Sequence, residues 1–163
     1  MCDFLFVGLH RRDLRPATEA LSPGRVLIPS KHPALLAALP PEYLGFWLTN
    51  RMCSCGFWPH CAGGLGPEAF ADRNWSPAKV ERAVNDLRAS ILAKALGKDA
   101  RDTLSWFALV PRLSGHSLFA HVGWYSGDID RHPVTVHVRV ITQPDLRTDL
   151  KTGALNEIRP PVA

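Results

Sequence analysis

The side chains best suited to metal binding or thiol chemistry are concentrated in one short segment, residues 50–61. This segment contains Cys53, Cys55, His60 and Cys61, and so holds three of the four cysteines in the chain. Thiolate and imidazole groups bind zinc, and a thiolate can also act as a nucleophile near neutral pH. The segment therefore predicts either a zinc site formed by Cys53, Cys55, Cys61 and a fourth ligand, which is His60, Cys2 or a more distant histidine, or a reactive thiol.

The zinc interpretation lacks part of its usual pattern. Structural zinc sites generally combine two Cys-x2-Cys-like pairs that are well separated in sequence, whereas this chain has one compact group. Reduced cysteines can also simply pack a tight turn, and Gly56 would permit the bend. We therefore expect either no cofactor or a zinc ion at this segment.

The thiol interpretation is also incomplete. A nucleophile at Cys53 or Cys55 needs a histidine within hydrogen-bond reach, and His121 or His137 could supply one only if the fold brings them close. Cys2 would become an N-terminal thiol if Met1 were removed, but no motif of that enzyme class follows it. A catalytic set is thus not established by these residues.

Composition indicates an ordinary globular protein. The chain has 163 residues, of which 46% are hydrophobic and 21% charged, so we expect one domain over residues 1–163. The net charge is +4 and the basic residues are dispersed, which disfavours a nucleic-acid partner. The N-terminal segment lacks the basic leader of a secretory signal, and no apolar run reaches the length of a membrane helix. These features predict a cytoplasmic protein without a membrane segment, whose oligomeric state is left open.

Short apolar segments separated by turn residues predict the first half of the fold. We expect strands over residues 3–9, 25–29 and 43–49, a loop over 12–24 and a short helix over 32–39. The clearest element is a helix over 76–97, which Ser76 can cap and Pro77 can begin, with apolar residues at Val80, Val84, Leu87 and Ile91. Residues 100–113 are ambiguous, and we favour a helix. The amphipathic helix 76–97 is expected to pack on one face of a sheet.

Two alternating patterns near the C-terminus, residues 117–125 and 134–142, predict a β-hairpin. A turn centred on Ile129 would place His121 opposite His137. The hairpin face directed away from the core would then present Phe119, His121, Tyr125, His137 and Arg139. Aromatic residues and arginine are common interface anchors, so this face predicts a protein-binding surface. Residues 146–163 are expected to hold a short strand or to form a loosely ordered tail.

Four short motifs resemble those of a group of small bacterial proteins. They are Met1-Cys2-Asp3-Phe4, Cys53-x-Cys55-Gly56, the helix start Trp75-Ser76-Pro77-Ala78-Lys79, and Trp124-Tyr125 at the end of a late strand. The resemblance covers most of residues 1–127. It implies that the Cys-x-Cys-Gly turn is a recurrent feature of such proteins, and it implies no activity.

Together these patterns predict a single α+β domain. We expect an antiparallel or mixed sheet of four or five strands, one long helix on one face, and a C-terminal hairpin. The predicted function is a non-enzymatic protein-binding module, such as an immunity-type inhibitor that neutralises a toxin or effector protein. The alternative is a small metal- or thiol-dependent enzyme or sensor centred on Cys53, Cys55 and Cys61.

Overall fold

The computed structural model describes residues 2–50, 54, 56–58, 67–70, 73–93, 96–125, 128–143 and 146–161. In chain order, its helices and strands are β1 (Cys2–His10), α1 (Leu14–Glu19), β2 (Val26–Pro29), α2 (Pro33–Ala37), β3 (Tyr43–Thr49), α3 (Pro77–Ala93), α4 (Lys98–Ser114), β4 (Leu118–Tyr125), β5 (Val138–Ile141), α5 (Leu146–Asp149) and β6 (Leu155–Ile158). Two 3-10 turns add Arg11–Asp13 and Pro67–Phe70.

Six strands form one mixed sheet in the order β2-β3-β1-β4-β6-β5. All neighbouring strands are antiparallel except β5 and β6, which are parallel. The predicted α+β class and the mixed sheet are confirmed, but the sheet has six strands rather than four or five and several helices accompany it. Within the described residues, no helix combines the length and apolarity that a membrane crossing requires.

The predicted C-terminal hairpin is wrong. Strand β4 pairs with β1 on one side and β6 on the other, while β5 lies beyond β6. Strand β1 explains this pairing, because Leu5, Phe6 and Val7 are all fully buried and alternate between the two faces. A strand with apolar side chains on both faces belongs in the interior of a sheet, so both of its edges must be paired. Strand β4 supplies the second partner.

One face of the sheet is covered by α4, not by the helix predicted over 76–97. Trp106, Phe107 and Val110 of α4 are buried in a cluster with Leu5 and Val7 of β1. The ambiguous segment 100–113 is thus a helix, as favoured. Helix α3 occupies part of the predicted range 76–97, but its Leu87 is 37% exposed.

The opposite face carries an aromatic cluster made of Phe6, Leu35, Trp47, Phe119 and Leu155. Helix α2 and the segment 128–136 cover it, and Val134 and Val136 of that segment pack against the cluster. Asp130 fastens the segment because its Oδ1 accepts hydrogen bonds from Trp47 Nε1 at 3.0 Å and from the Lys31 amide at 2.9 Å. The side chains at the centre of this sheet face are therefore buried.

One further local prediction is wrong, and one of two alternatives for the C-terminal segment is confirmed. Residues 12–24, predicted as a loop, contain α1, which tolerates Pro16 because the amides of the first helical turn have no intrahelical acceptor. Residues 146–163, expected to hold a short strand or to form a loose tail, hold the short strand β6, which lies inside the sheet between β4 and β5 and follows the short helix α5. Leu155 and Ile158 of β6 are fully buried. The strands predicted over 3–9, 25–29 and 43–49 and the short helix near residues 32–39 are confirmed.

Candidate functional site

Two histidines and an aspartate meet where β1 ends and β4 begins. His10 is the last residue of β1, and the 3-10 turn Arg11–Asp13 follows it directly. Because β1 and β4 run antiparallel, with Gly8 opposite Phe119, the residues just before β4 lie beside the end of β1. His116 is one of these residues. Sheet topology thus joins two positions that are more than 100 residues apart.

His116 faces the carboxylate of Asp13. Its Nδ1 lies 3.2 Å from both Oδ1 and Oδ2 of Asp13. The Asp13 side chain is 4% exposed, whereas that of His116 is 35% exposed. An ionised carboxylate can only accept, so Nδ1 of His116 must donate in this arrangement. The other edge of the His116 ring is directed away from the buried carboxylate.

His10 stacks on His116. The two ring centroids are 3.7 Å apart and the rings are inclined by 13°. The Arg12 amide donates to His10 Nδ1 at 3.3 Å, which fixes that nitrogen as an acceptor and leaves the proton of a neutral His10 on Nε2. Tyr43 contacts the His10 ring edge to face, with centroids 5.4 Å apart.

A groove of about 500 Å³ opens beside these rings, and we call it the histidine groove. Its lining residues are His10, Arg11, Arg12, Pro41, Glu42 and His116. The backbone holds its two walls together, because the Arg11 amide donates to the Glu42 carbonyl at 2.9 Å. The stacked imidazoles are therefore reachable by a ligand from solvent.

Tyr43 closes the inner side of the site as a neutral phenol. Burial raises the pKa of Tyr43, and the negative charges of Asp13, Glu157 and Glu42 raise it further. The Tyr43 hydroxyl thus stays protonated through the physiological range. The ring supports His10 without adding a charge.

Sequence reasoning missed this site. His10 and Asp13 follow a predicted strand at a spacing of three residues, and this His-x2-Asp pattern is a signal that could have marked them. His116 has no comparable local signal. Only the pairing of β1 with β4 brings it to the other two.

Cys53, Cys55, His60 and Cys61, predicted to bind zinc, lie outside the described residues. Their neighbour Ser54 is described and fully buried. Its Oγ accepts from the Leu5 amide at 2.9 Å and donates to the Leu48 carbonyl, so it bridges β1 and β3 at the end of their ladder. The Ser54 amide donates to the Asp3 carbonyl at 3.1 Å.

Two described residues of this cysteine segment lie on the opposite side of the sheet from His121, the histidine of the predicted hairpin. Phe57 and Trp58 pack into the cluster that α4 covers. His121 is opposite Phe6 on β1, whose side chain belongs to the other cluster. Ser54 thus bonds to the β1–β3 ladder, and Phe57 and Trp58 pack on the sheet face opposite His121.

Ser54→Ala is expected to lower the free energy of unfolding by about 2–4 kcal/mol, because it leaves the buried Leu5 amide and Leu48 carbonyl without their partner. Urea unfolding measures this change. Ser105→Ala is the matched control, since Ser105 is exposed on α4 and should change stability by no more than about 0.5 kcal/mol. Equal effects of the two substitutions would contradict a structural role for Ser54.

The predicted protein-binding face is not a continuous exposed surface. Phe119 and His121 are only 5% and 2% exposed, because α2 and the segment 128–136 cover that side of the sheet. The Tyr125 side chain lies outside the described residues. His137 is exposed, and Arg139 is partly exposed and forms an ion pair with Asp149 at 3.8 Å. The assumption that all five side chains share one solvent-facing surface is therefore wrong.

His121 is a buried neutral histidine. Its Nδ1 lies 3.2 Å from the Ala154 carbonyl, so it donates there. Burial lowers the pKa of His121 to about 4, and the nearby His32 adds to this lowering, while the Ala154 carbonyl opposes it. The side chain is a polar component of the core.

Comparison of the chain with protein-family models, curated proteins and solved structures gives no match. The function is therefore inferred from the geometry of the chain's own residues, above all His10, Asp13 and His116.

Proposed function

We propose that the protein binds a divalent transition-metal ion, represented by zinc, through His10, Asp13 and His116. The observation that supports this proposal is that one ligand atom from each of the three residues lies within 4.8 Å of the other two. Two imidazoles and a carboxylate are donors that zinc and iron(II) accept, and three protein ligands leave coordination positions open. Those positions would face the histidine groove, where the ion would activate water or polarise a bound group.

Once His116 releases its Nδ1 proton to solvent, the Asp13–His116 spacing suits two ligands of one ion. With metal–ligand bonds of about 2.1 Å, a separation of 3.2 Å corresponds to an angle of roughly 100° at the ion. A direct charge-assisted hydrogen bond is usually shorter, at about 2.7–2.9 Å. The longer distance fits a hydrogen bond that Nδ1 shares between the two carboxylate oxygens, and it also fits two neighbouring ligands of one ion.

The stacked rings impose a rearrangement on metal binding. Imidazole lone pairs lie in the ring plane, so two nearly parallel rings direct them side by side rather than towards one point. His10 must turn to direct a ring nitrogen at the ion, and if that nitrogen is Nδ1 it also releases the Arg12 amide, whose hydrogen bond of 3.3 Å contributes about 1 kcal/mol or less. Metal binding to three protein ligands is worth several times that amount.

Zinc titration tests the proposal if the cysteine segment is removed from competition. We expect the Cys53→Ser/Cys55→Ser/Cys61→Ser variant to retain one equivalent of bound zinc, measured by calorimetry and by elemental analysis after gel filtration. Cobalt substitution should give a spectrum without thiolate charge-transfer bands. Loss of all tight binding in the cysteine variant would favour the cysteine site predicted from the sequence and would reject the present proposal.

A second candidate is the predicted protein-binding function, and one observation favours a changed location for it. The edge strand β5 exposes 54% of Val138 and 47% of Val140 beside His137 and Arg139. Exposed apolar side chains on a sheet edge suit the addition of a strand from a partner protein. The immunity-type role itself stays a prediction from sequence.

A further inference from the structure

We infer that the histidine groove binds a phosphoryl group, held by Arg11 and Arg12 next to the proposed metal ion. The inference deepens the proposed function, on which it rests for the charge of the ion. It names the chemical class of the ligand as a dianionic phosphate or phosphate ester. The supporting observations are the unsatisfied charges of the groove, the sum of those charges, and the donors that face it.

Arg11 and Arg12 are exposed and line the groove. Neither guanidinium forms an ion pair with any part of the chain that the structure describes. Three other exposed arginines of the described chain do form local ion pairs, Arg15 with Glu19, Arg131 with Asp128 and Arg159 with Glu157. Two adjacent unpaired guanidinium groups beside a pair of imidazoles can accept a planar or tetrahedral oxyanion through paired N–H donors.

The charges of the site select a dianion. The two arginines contribute +2 and a divalent ion a further +2, whereas Asp13 and Glu42 contribute −2. The sum is +2, which a phosphoryl dianion neutralises and a single carboxylate does not. Glu42 on the opposite wall repels an anion that approaches from its side, so the oxyanion should sit against the arginine wall.

The ion and the arginines would bind different oxygens of one phosphoryl group. Hard oxyanions are good ligands for the open positions of a divalent ion, and a guanidinium fork binds two further oxygens. The Nε2–H of a neutral His10, whose Nδ1 accepts from the Arg12 amide, adds a donor when no metal is bound. The groove thus offers donors to an oxyanion with or without the ion, and the ion strengthens the attraction.

Calorimetric titration with inorganic phosphate tests the inference. Zinc-loaded protein, freed of excess zinc by gel filtration, should bind phosphate, and Arg11→Ala/Arg12→Ala should weaken this binding at least tenfold with zinc affinity unchanged. The matched control is Arg131→Ala/Arg139→Ala, which removes two positive charges away from the groove and should change phosphate affinity by less than threefold. Acetate should bind at least tenfold more weakly than phosphate.

The same titration on metal-free protein separates the two proposals. If zinc does not bind but phosphate binding still depends on Arg11 and Arg12, the phosphoryl site stands and the metal proposal fails. If zinc binds and phosphate does not, the metal proposal stands and the phosphoryl inference fails. Phosphate affinity that is unaffected by Arg11→Ala/Arg12→Ala, or matched by acetate, would overturn the phosphoryl inference.

Discussion

Replacing Asp13 with asparagine is expected to lower the affinity for zinc at least about 100-fold. Asp13 is the one anionic ligand of the proposed three, and removing even an outer hydrogen-bond partner of a metal ligand costs about 10–100-fold. Asparagine keeps the shape of the side chain and one acceptor oxygen for His116, so the fold should survive. Competition with a chromophoric chelator, in the variant that lacks Cys53, Cys55 and Cys61, measures the loss.

The matched control for this substitution is Asp128→Asn. Asp128 is exposed and forms an ion pair with Arg131 away from the histidine groove, so its replacement should leave zinc affinity within about twofold. Both variants should unfold cooperatively in urea, which excludes misfolding as the cause of lost binding. Equal zinc affinity in Asp13→Asn and in the parent protein would remove Asp13 from the site.

Acidification from pH 6.5 to pH 4 should destabilise the protein by about 3 kcal/mol through His121 alone. Burial lowers the pKa of His121 to about 4 in the folded state, whereas an unfolded histidine has a pKa near 6.5. Between about pH 4 and pH 6.5, His121 binds a proton in the unfolded chain but not in the folded chain. The free energy of unfolding therefore falls as the pH falls, by up to about 1.4 kcal/mol per pH unit, and this contribution is complete above pH 6.5.

His121→Asn isolates this effect. Asparagine can place an amide donor near the position of Nδ1 and keep the hydrogen bond to the Ala154 carbonyl, but it does not titrate. Urea unfolding at pH 7, 6, 5 and 4.5 should show a shallower pH dependence in His121→Asn than in the parent. His137→Asn, at an exposed position, should keep the parental dependence. Parallel curves for the parent and His121→Asn would mean that His121 is not buried as a neutral group.

Local signals predicted individual elements of the fold well. Apolar segments bounded by turn residues located β1, β2 and β3, and proline at the first helical position located α2. Such signals depend on neighbours in sequence. They carry no information about which edge of β1 a later strand will occupy.

The main wrong prediction is the pairing of β4 with the segment that follows it, and the reason is physical. The valines at 134, 136, 138 and 140 alternate as a half-buried strand would, yet Val134 and Val136 pack on the aromatic cluster while Val138 and Val140 are exposed on an edge. A covering segment and a strand can share one alternating pattern. Tertiary structure decides between them. Strand β4 pairs with the second edge of β1, and residues 134 and 136 cover the aromatic cluster.

The candidate site could be predicted only in part for the same reason. His10 and Asp13 are three residues apart and form half of the site, but His116 joins them only through the long-range pairing of β1 with β4. The density of cysteines in residues 50–61 favours a site near the start of β1, whereas His10 lies at its end. A local concentration of reactive residue types is easier to see in a sequence than a site assembled from distant residues.

Anomalous scattering at the zinc absorption edge, from crystals of the full chain grown with one equivalent of zinc, tests the central claim most directly. Metal binding by His10, Asp13 and His116 should give one strong anomalous peak between the two imidazoles and the carboxylate, with the His10 ring turned out of its stack. A peak at Cys53, Cys55 or Cys61 alone, or no peak beside Asp13, would contradict it.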